Sequence, residues 1–126
     1  MGMTLTVRCP NGVPSWTAVS AWLEGHGWPA QIRMIDGQLT FPDEKPPADW
    51  RELRTALPGG MVTIRRDEST VSVVAWGNAD DALRRSYNVL ALAFAEIVAG
   101  TIITVGAELS VAEFRSRAEL PPWASP

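Results

Sequence analysis

The amino-acid sequence predicts an α+β fold, with a twisted, mostly antiparallel sheet of roughly five to six strands and helices packed on one face. Its length of 126 residues, with 46% hydrophobic and 20% charged residues, is typical of one globular domain. Two segments have the pattern of β-hairpins, which pair their strands antiparallel, and segments of helical periodicity lie around them. We therefore expect residues 1–126 to form a single domain, with 119–126 as a proline-rich C-terminal tail.

The first two predicted elements are a strand and a helix. Leu5 and Val7 alternate with polar residues over 3–9, which is the period of a strand. Ser15 is a typical helix cap, and apolar residues then recur at helical spacing. The Gly-His-Gly run that follows ends this helix, and we expect His26 to cap its C-terminus.

Two hairpins are predicted in the first two thirds of the chain. Asp36 and Gly37 separate two alternating apolar runs within 31–41, and both residues suit a turn that needs positive φ. A second hairpin is expected between strands at 61–66 and 70–76. Each hairpin leaves potential edges. We expect the charges near the second hairpin to protect it, and the first hairpin to be the contact surface.

A short helix is predicted between the two hairpins. Pro47 suits the first turn of a helix, and Trp50, Leu53 and Leu57 recur at helical spacing after it. The Pro-Gly-Gly run at 58–60 would stop this helix.

The longest helix is expected over 79–99, with Asn78 as its cap. Apolar residues recur every three or four positions from Leu83 to Ile97, and this segment should be the centre of the core. Its solvent face carries two acid-before-base pairs at a spacing of four, which are Asp80–Arg84 and Asp81–Arg85.

The last predicted elements are a strand over 101–105 and a helix over 111–118. Ser110 and Glu113 form the sequence signature of a capping box at the start of that helix. We expect Trp123 to pack back onto the body of the protein. The predicted order is therefore β-α-β-β-α-β-β-α-β-α.

The predicted core follows from the apolar positions of these elements. It comprises Leu5, Val7, Val19, Leu23, Ile32, Leu39, Leu53, Val62, Ile64, Val71, Val73, Leu83, Leu90, Phe94, Ile97, Ile102 and Phe114.

Few residues are available for chemistry. The sequence has one cysteine, one histidine and one lysine, Cys9, His26 and Lys45, and no recognised motif surrounds any of them. Catalytic and metal sites usually need several such groups held together, so we predict no catalytic residue, no cofactor and no metal. We expect Cys9 to be a small buried hydrophobic residue.

Charge and hydropathy limit the partners. A net charge of −3 lacks the basic face of a nucleic-acid-binding protein. The apolar run at 87–105 contains Asn88 and Glu96 and is cut by Gly100, so we expect no membrane span. A lone cysteine favours a reducing compartment, which predicts a cytoplasmic protein.

The six tryptophans are the strongest indication of a binding surface. Tryptophan is enriched at interface hot spots, and not all of these side chains fit the buried stripes. The candidate partner surface consists of Trp16, Trp22, Trp28, Leu39 and Phe41. Glu96, within an apolar helix segment, is a candidate buried functional carboxylate, or else marks the helix edge or pairs with an arginine of the sheet.

These features favour a non-catalytic protein-binding module, such as an immunity-type inhibitor, a chaperone-like protein or a subunit of an assembly. Its partner would be another protein, and a symmetric homodimer through the first hairpin is a further expectation. The alternative is a small-ligand-binding or enzymatic domain with a pocket between sheet and helices.

Overall fold

Eight strands form an antiparallel sheet in the structure, a computed structural model that describes residues 2–41, 44–77 and 79–125. The strands follow one another in space in the order β3-β2-β4-β5-β6-β1-β7-β8. Their bounds are β1 (Met3–Arg8), β2 (Gln31–Ile35), β3 (Gln38–Leu39), β4 (Glu52–Leu57), β5 (Gly60–Arg66), β6 (Thr70–Ala75), β7 (Thr101–Thr104) and β8 (Ala107–Leu109). The predicted α+β class and antiparallel pairing are confirmed.

Three helices accompany this sheet in the described residues: α1 (Trp16–Gly25), α2 (Asp81–Val98) and α3 (Val111–Arg117). Helix α2 packs across β1, β5, β6 and β7, and both α1 and α3 pack against α2. The helices therefore cover one face of the sheet, which we call the inner face. The opposite side, the outer face, carries the alternate residues of each strand.

The inner face and α2 form the core. Leu5 lies opposite Val73 and Val7 lies opposite Val71, and all four side chains are buried. The residues of α2 from 89 to 95 are buried on every side of the helix. The predicted core is confirmed at most positions, with Leu83 and Ile97 only partly buried and Leu39 exposed.

The predicted helix between the hairpins is wrong, because this segment contains strand β4. Leu53 and Thr55 lie opposite Ile64 and Val62, and all four side chains are buried on the inner face. A spacing of four, such as Leu53 to Leu57, places two residues on one face of either a helix or a strand. The Pro-Gly pair at 58–59 is consequently the turn between β4 and β5, not a helix stop.

A second difference is the short strand β8, which the sequence analysis did not predict. Thr104 lies opposite Ala107, and Gly106 between them has a φ of 81°. A strand of three residues is too short to show a periodic pattern. Strands β4 and β8 together explain why the sheet has more strands than predicted and why the predicted element order is wrong.

The positions of the two predicted hairpins in the sheet also differ. The first hairpin, β2 and β3, forms one edge, as expected. The second hairpin, β5 and β6, lies at the centre between β4 and β1, so the expectation that it leaves an edge is wrong. The other edge is β8.

The predicted helix caps are confirmed at two of the three helices. The Ser15 hydroxyl accepts a hydrogen bond from the Ala18 amide, and Ser110 and Glu113 form the complete capping box. At α2 the cap is Asp80, whose carboxylate accepts from the Leu83 amide at 2.8 Å. Asn78, predicted for this role, lies outside the described residues.

Ser110→Ala is expected to lower the free energy of unfolding by about 1 kcal/mol, because the Glu113 amide loses its acceptor. Chemical denaturation followed by circular dichroism measures this loss. Ser116→Ala, in the same helix, removes a hydroxyl that does not cap the N-terminus and serves as the matched control. Equal unfolding midpoints for the two variants would show that the Ser110 hydroxyl contributes nothing as a cap.

The C-terminal segment is held against the helices. Arg84 pairs with Asp81 and Glu119, and Arg85 also pairs with Glu119, so the predicted i,i+4 pairs with Asp80 and Asp81 are wrong. Asp80 is engaged as a helix cap, and a spacing of three brings Arg84 to Asp81. Trp123, further along this segment, packs on the body of the protein as expected, with its ring beside those of Trp22, His26 and Trp28.

Candidate functional site

The structure separates the five residues of the predicted partner surface. Trp16 is buried, with an exposed fraction of 7%, and belongs to the core beneath α1. Trp22 and Trp28 are partly buried, and both of their rings lie 5.9 Å from the Trp123 ring. Only Leu39 and Phe41, at 84% and 76% exposure, have the accessibility expected of a partner surface.

The cluster around Trp123 accounts for His26. The Nδ1 atom of His26 lies 2.7 Å from the Trp22 carbonyl oxygen, so Nδ1 carries the proton and donates it. Its ring stacks on Trp123 at 5.0 Å. His26 is the C-cap of α1, as the sequence predicts. The contacts of Trp123 with the other aromatic rings of this cluster hold the C-terminal segment on α1.

Glu96 is not a buried carboxylate. It lies on the exposed side of α2 and pairs with Arg115 of α3, rather than with an arginine of the sheet. The prediction of burial is wrong because the apolar neighbours of Glu96 lie on other sides of the helix. Glu96 therefore links two helices.

Cys9 is buried at the end of β1, as predicted. Burial raises the pKa of its thiol, which disfavours the reactive thiolate.

Strand β3 is held in place by Asp36. Asp36 and Gly37 have φ values of 48° and 83°, which fit the predicted tight turn. One carboxylate oxygen of Asp36 accepts hydrogen bonds from the amides of Arg51 and Glu52, each at 2.8 Å. These two bonds hold the pKa of Asp36 below its ordinary value, so the carboxylate anchors the hairpin at neutral pH and weakens its hold as the pH falls through that pKa.

Side chains of the outer face lie in rows that run across the strands. One row joins Leu39 to Met34, Met34 to Arg54, Arg54 to Thr63 and Thr63 to Val74. Met61 on β5 and Trp76 just after β6 follow the same face two residues away, and both are exposed, at 47% and 57%. We call Met34, Leu39, Arg54, Met61 and Trp76 the outer patch.

Arg65 and Trp76 cover the middle of the outer face. The Arg65 guanidinium carbon lies 5.6 Å from the centre of the Trp76 ring. Thr63 and Val74, which lie opposite each other beneath them, are buried although they face away from the helices. The outer patch is thus a continuous surface and not a set of separate side chains.

Two arginines of the outer face form ion pairs, and Arg54 on the same face does not within the described residues. Arg8 pairs with Glu108 at 3.1 Å, and Arg65 pairs with Glu52 at 3.6 Å. Within the described parts of the chain, Arg54 has no carboxylate at ion-pair distance. Its row contains apolar and hydroxyl side chains.

Surface hollows of about 450, 380 and 290 Å³ lie elsewhere. The first is beside Glu96 and Arg115, the second is beside Arg66 and is lined mainly by charged side chains, and the third lies between α1 and β2. None of these three lies between α2 and the sheet, where the alternative prediction places a ligand pocket. Among residues 2–41, 44–77 and 79–125, no group of three or more His, Cys, Asp or Glu side chains is arranged to hold a metal.

None of the helices in the described residues combines the length and the apolar character needed to cross a membrane.

Comparison with protein families, curated proteins and solved structures finds no match to this chain.

Sequence reasoning missed Arg54, Met61 and Trp76 as surface residues. Val71 and Val73 on the inner face already imply that Trp76, an odd number of positions away, faces outward. By the same alternation, Met61 points to the other face of the sheet from Val62 and Ile64. The strand alternation that makes Arg54 an outward residue was not recognised, because its segment has the spacing of a helix.

Proposed function

We propose that this chain is a non-catalytic protein-binding module of the cytoplasm, which binds another protein through the outer patch. The carrying observation is the exposure of Leu39, Met61 and Trp76 on a sheet face that no described helix covers. Exposed apolar patches on otherwise soluble domains mark interaction sites. Trp, Met and Arg are also the types enriched at the centres of protein interfaces.

The position of the outer patch at a sheet edge supports the same proposal. The Thr40 amide donates to the Arg33 carbonyl, so the amide and carbonyl of Leu39, one position earlier, point away from β2. A partner strand can pair with these groups while its side chains contact Leu39 and Met34. An edge of this kind must be covered, charged or paired, and Leu39 supplies no charge.

The alternative of a ligand pocket between sheet and helices has less support. The residues of α2 from 89 to 95 are buried, and the three hollows described above lie at the surface.

Leu39→Lys is expected to abolish partner binding while leaving stability within about 0.5 kcal/mol, because the side chain is exposed. Val105→Lys is the matched control, since Val105 is fully exposed at the opposite end of the sheet. Affinity capture from the native cytoplasm with the three chains measures the effect. A protein retained by the unmodified chain and by Val105→Lys, but lost with Leu39→Lys, supports the proposal. Equal retention by all three would contradict it.

Light scattering at micromolar concentration tests whether the partner is a second copy. A mass of about twice 13.7 kDa that falls to the single-chain value in Leu39→Lys would assign the outer patch to a homodimer. A single-chain mass leaves the patch for a different protein, as proposed.

A further inference from the structure

We infer that the partner inserts a carboxylate between apolar side chains of its own, and that Arg54 receives it. This inference rests on the proposed function and specifies the chemistry of the partner: a polypeptide segment with an Asp or Glu flanked by apolar residues. The observations that carry it are the position of Arg54, its surroundings and its lack of a described ionic partner.

The position of Arg54 follows from strand register. Its neighbours in β4, Leu53 and Thr55, are buried against the inner face, so Arg54 points outward. It lies directly between Met34 of β2 and Thr63 of β5. Across the strands Arg54 is therefore flanked by members of its row, and along β4 its outward neighbour Glu52 is already paired with Arg65.

The charges of the outer face distinguish Arg54 from Arg8 and Arg65. Each of those two has a carboxylate of the same chain beside it. Arg54 is the charged member of an otherwise apolar group, in a chain whose net charge is −3. A partner that covered this patch with apolar side chains alone would bury an unpaired guanidinium, which is costly.

A carboxylate of the partner beside Arg54 would pair the guanidinium, and apolar side chains next to that carboxylate would cover the rest of the outer patch. Guanidinium groups bind carboxylates through two parallel hydrogen bonds, and the pair is strengthened where apolar neighbours exclude water. Met34 and Leu39, which follow Arg54 in the row toward the sheet edge, would exclude water from this pair. A lysine in place of Arg54 would keep the charge but lose the paired geometry.

A second copy of this chain fits less well at this position. A symmetric contact centred on the row would bring the Arg54 residues of both copies together, and like charges at close range oppose association. A nucleic acid also fits less well, because Glu52 and Glu108 lie on the same face.

The test uses random twelve-residue peptides displayed on phage, selected on the immobilised full chain. The enriched peptides are then synthesised and titrated by fluorescence anisotropy against the unmodified chain, Arg54→Gln and Arg54→Lys. Arg117→Gln is the control, because Arg117 is an exposed arginine of α3 far from the outer patch in the fold. Circular dichroism verifies that the variants remain folded.

We expect the enriched peptides to share an Asp or Glu beside apolar residues. Arg54→Gln should weaken their binding by about tenfold or more, Arg54→Lys by a smaller factor, and Arg117→Gln not at all. Replacing the shared carboxylate of the peptide by its amide should cause the same loss, and should cause no further loss in Arg54→Gln.

Three results would overturn the inference. Enriched peptides without a carboxylate, binding that is insensitive to Arg54→Gln, or no enrichment over an unrelated protein would each do so. The first two leave the proposed function standing if Leu39→Lys still abolishes binding, because the patch then binds protein without using Arg54. Insensitivity of the same peptides to Leu39→Lys would contradict the proposed function itself.

Discussion

Phe94→Ala is expected to lower the free energy of unfolding by about 3–5 kcal/mol, the range typical of a large aromatic side chain removed from a packed core. Phe94 is completely buried in the segment of α2 that is enclosed on all sides. Its removal loses apolar burial and leaves a cavity between α2 and its neighbours, which a helix packed on four strands cannot close without moving.

Urea denaturation followed by fluorescence and circular dichroism measures this effect. Val98→Ala is the control in the same helix, because Val98 is only partly buried and its loss should be clearly smaller. A change below about 0.5 kcal/mol for Phe94→Ala would mean that this position does not face the core.

Gly59→Ala is expected to have the second largest effect. A Cβ atom at Gly59 would overlap the carbonyl oxygen of Ala82 and lie 2.7 Å from the Ser86 hydroxyl oxygen. The Gly59 amide also donates to that hydroxyl at 2.8 Å, so the turn between β4 and β5 is fixed directly on α2. Because the obstacle is helix backbone, the turn itself must move, at a cost of about 1–3 kcal/mol or more.

Gly25→Ala is the matched control for this substitution. Gly25 lies in helix α1, and no atom stands within 4 Å of the position of an added Cβ. Alanine there should be neutral or stabilising by up to about 1 kcal/mol. Thermal melts of the two variants should therefore shift in opposite directions or differ strongly, and equal shifts would contradict the close contact at Gly59.

Local signals account for what could be predicted from the sequence. The turn at Asp36 and Gly37, the cap at Ser15 and the capping box at Ser110 each depend on a few neighbouring residues with defined backbone requirements. The long amphipathic pattern of α2 identified the centre of the core. Each of these features depends on a short stretch of the chain, so it can be predicted from the local sequence.

Features that depend on distant neighbours were missed. Leu39 has the alternation of a core strand, but its position opposite Met34 at the end of the sheet leaves it exposed. Arg54 is defined as a surface residue by strands β2 and β5 on either side of it. Glu96 meets Arg115 only because α2 and α3 pack together. Periodicity alone cannot reveal which strand ends a sheet.

The placement of β1 has a consequence for how the chain acquires its structure. The first strand of the chain, β1, lies between β6, at the end of the group formed by β2 to β6, and β7 of the late hairpin of β7 and β8. Arg8, for example, lies opposite both Thr70 and Thr101. Such separated partners make the closing of the sheet a slow, late event in folding, after α2 has been synthesised. Until β7 has been synthesised, the flank of β1 that pairs with it is open to other strands, so an interior strand of the finished sheet, and not only its edges, is exposed to mispairing during folding.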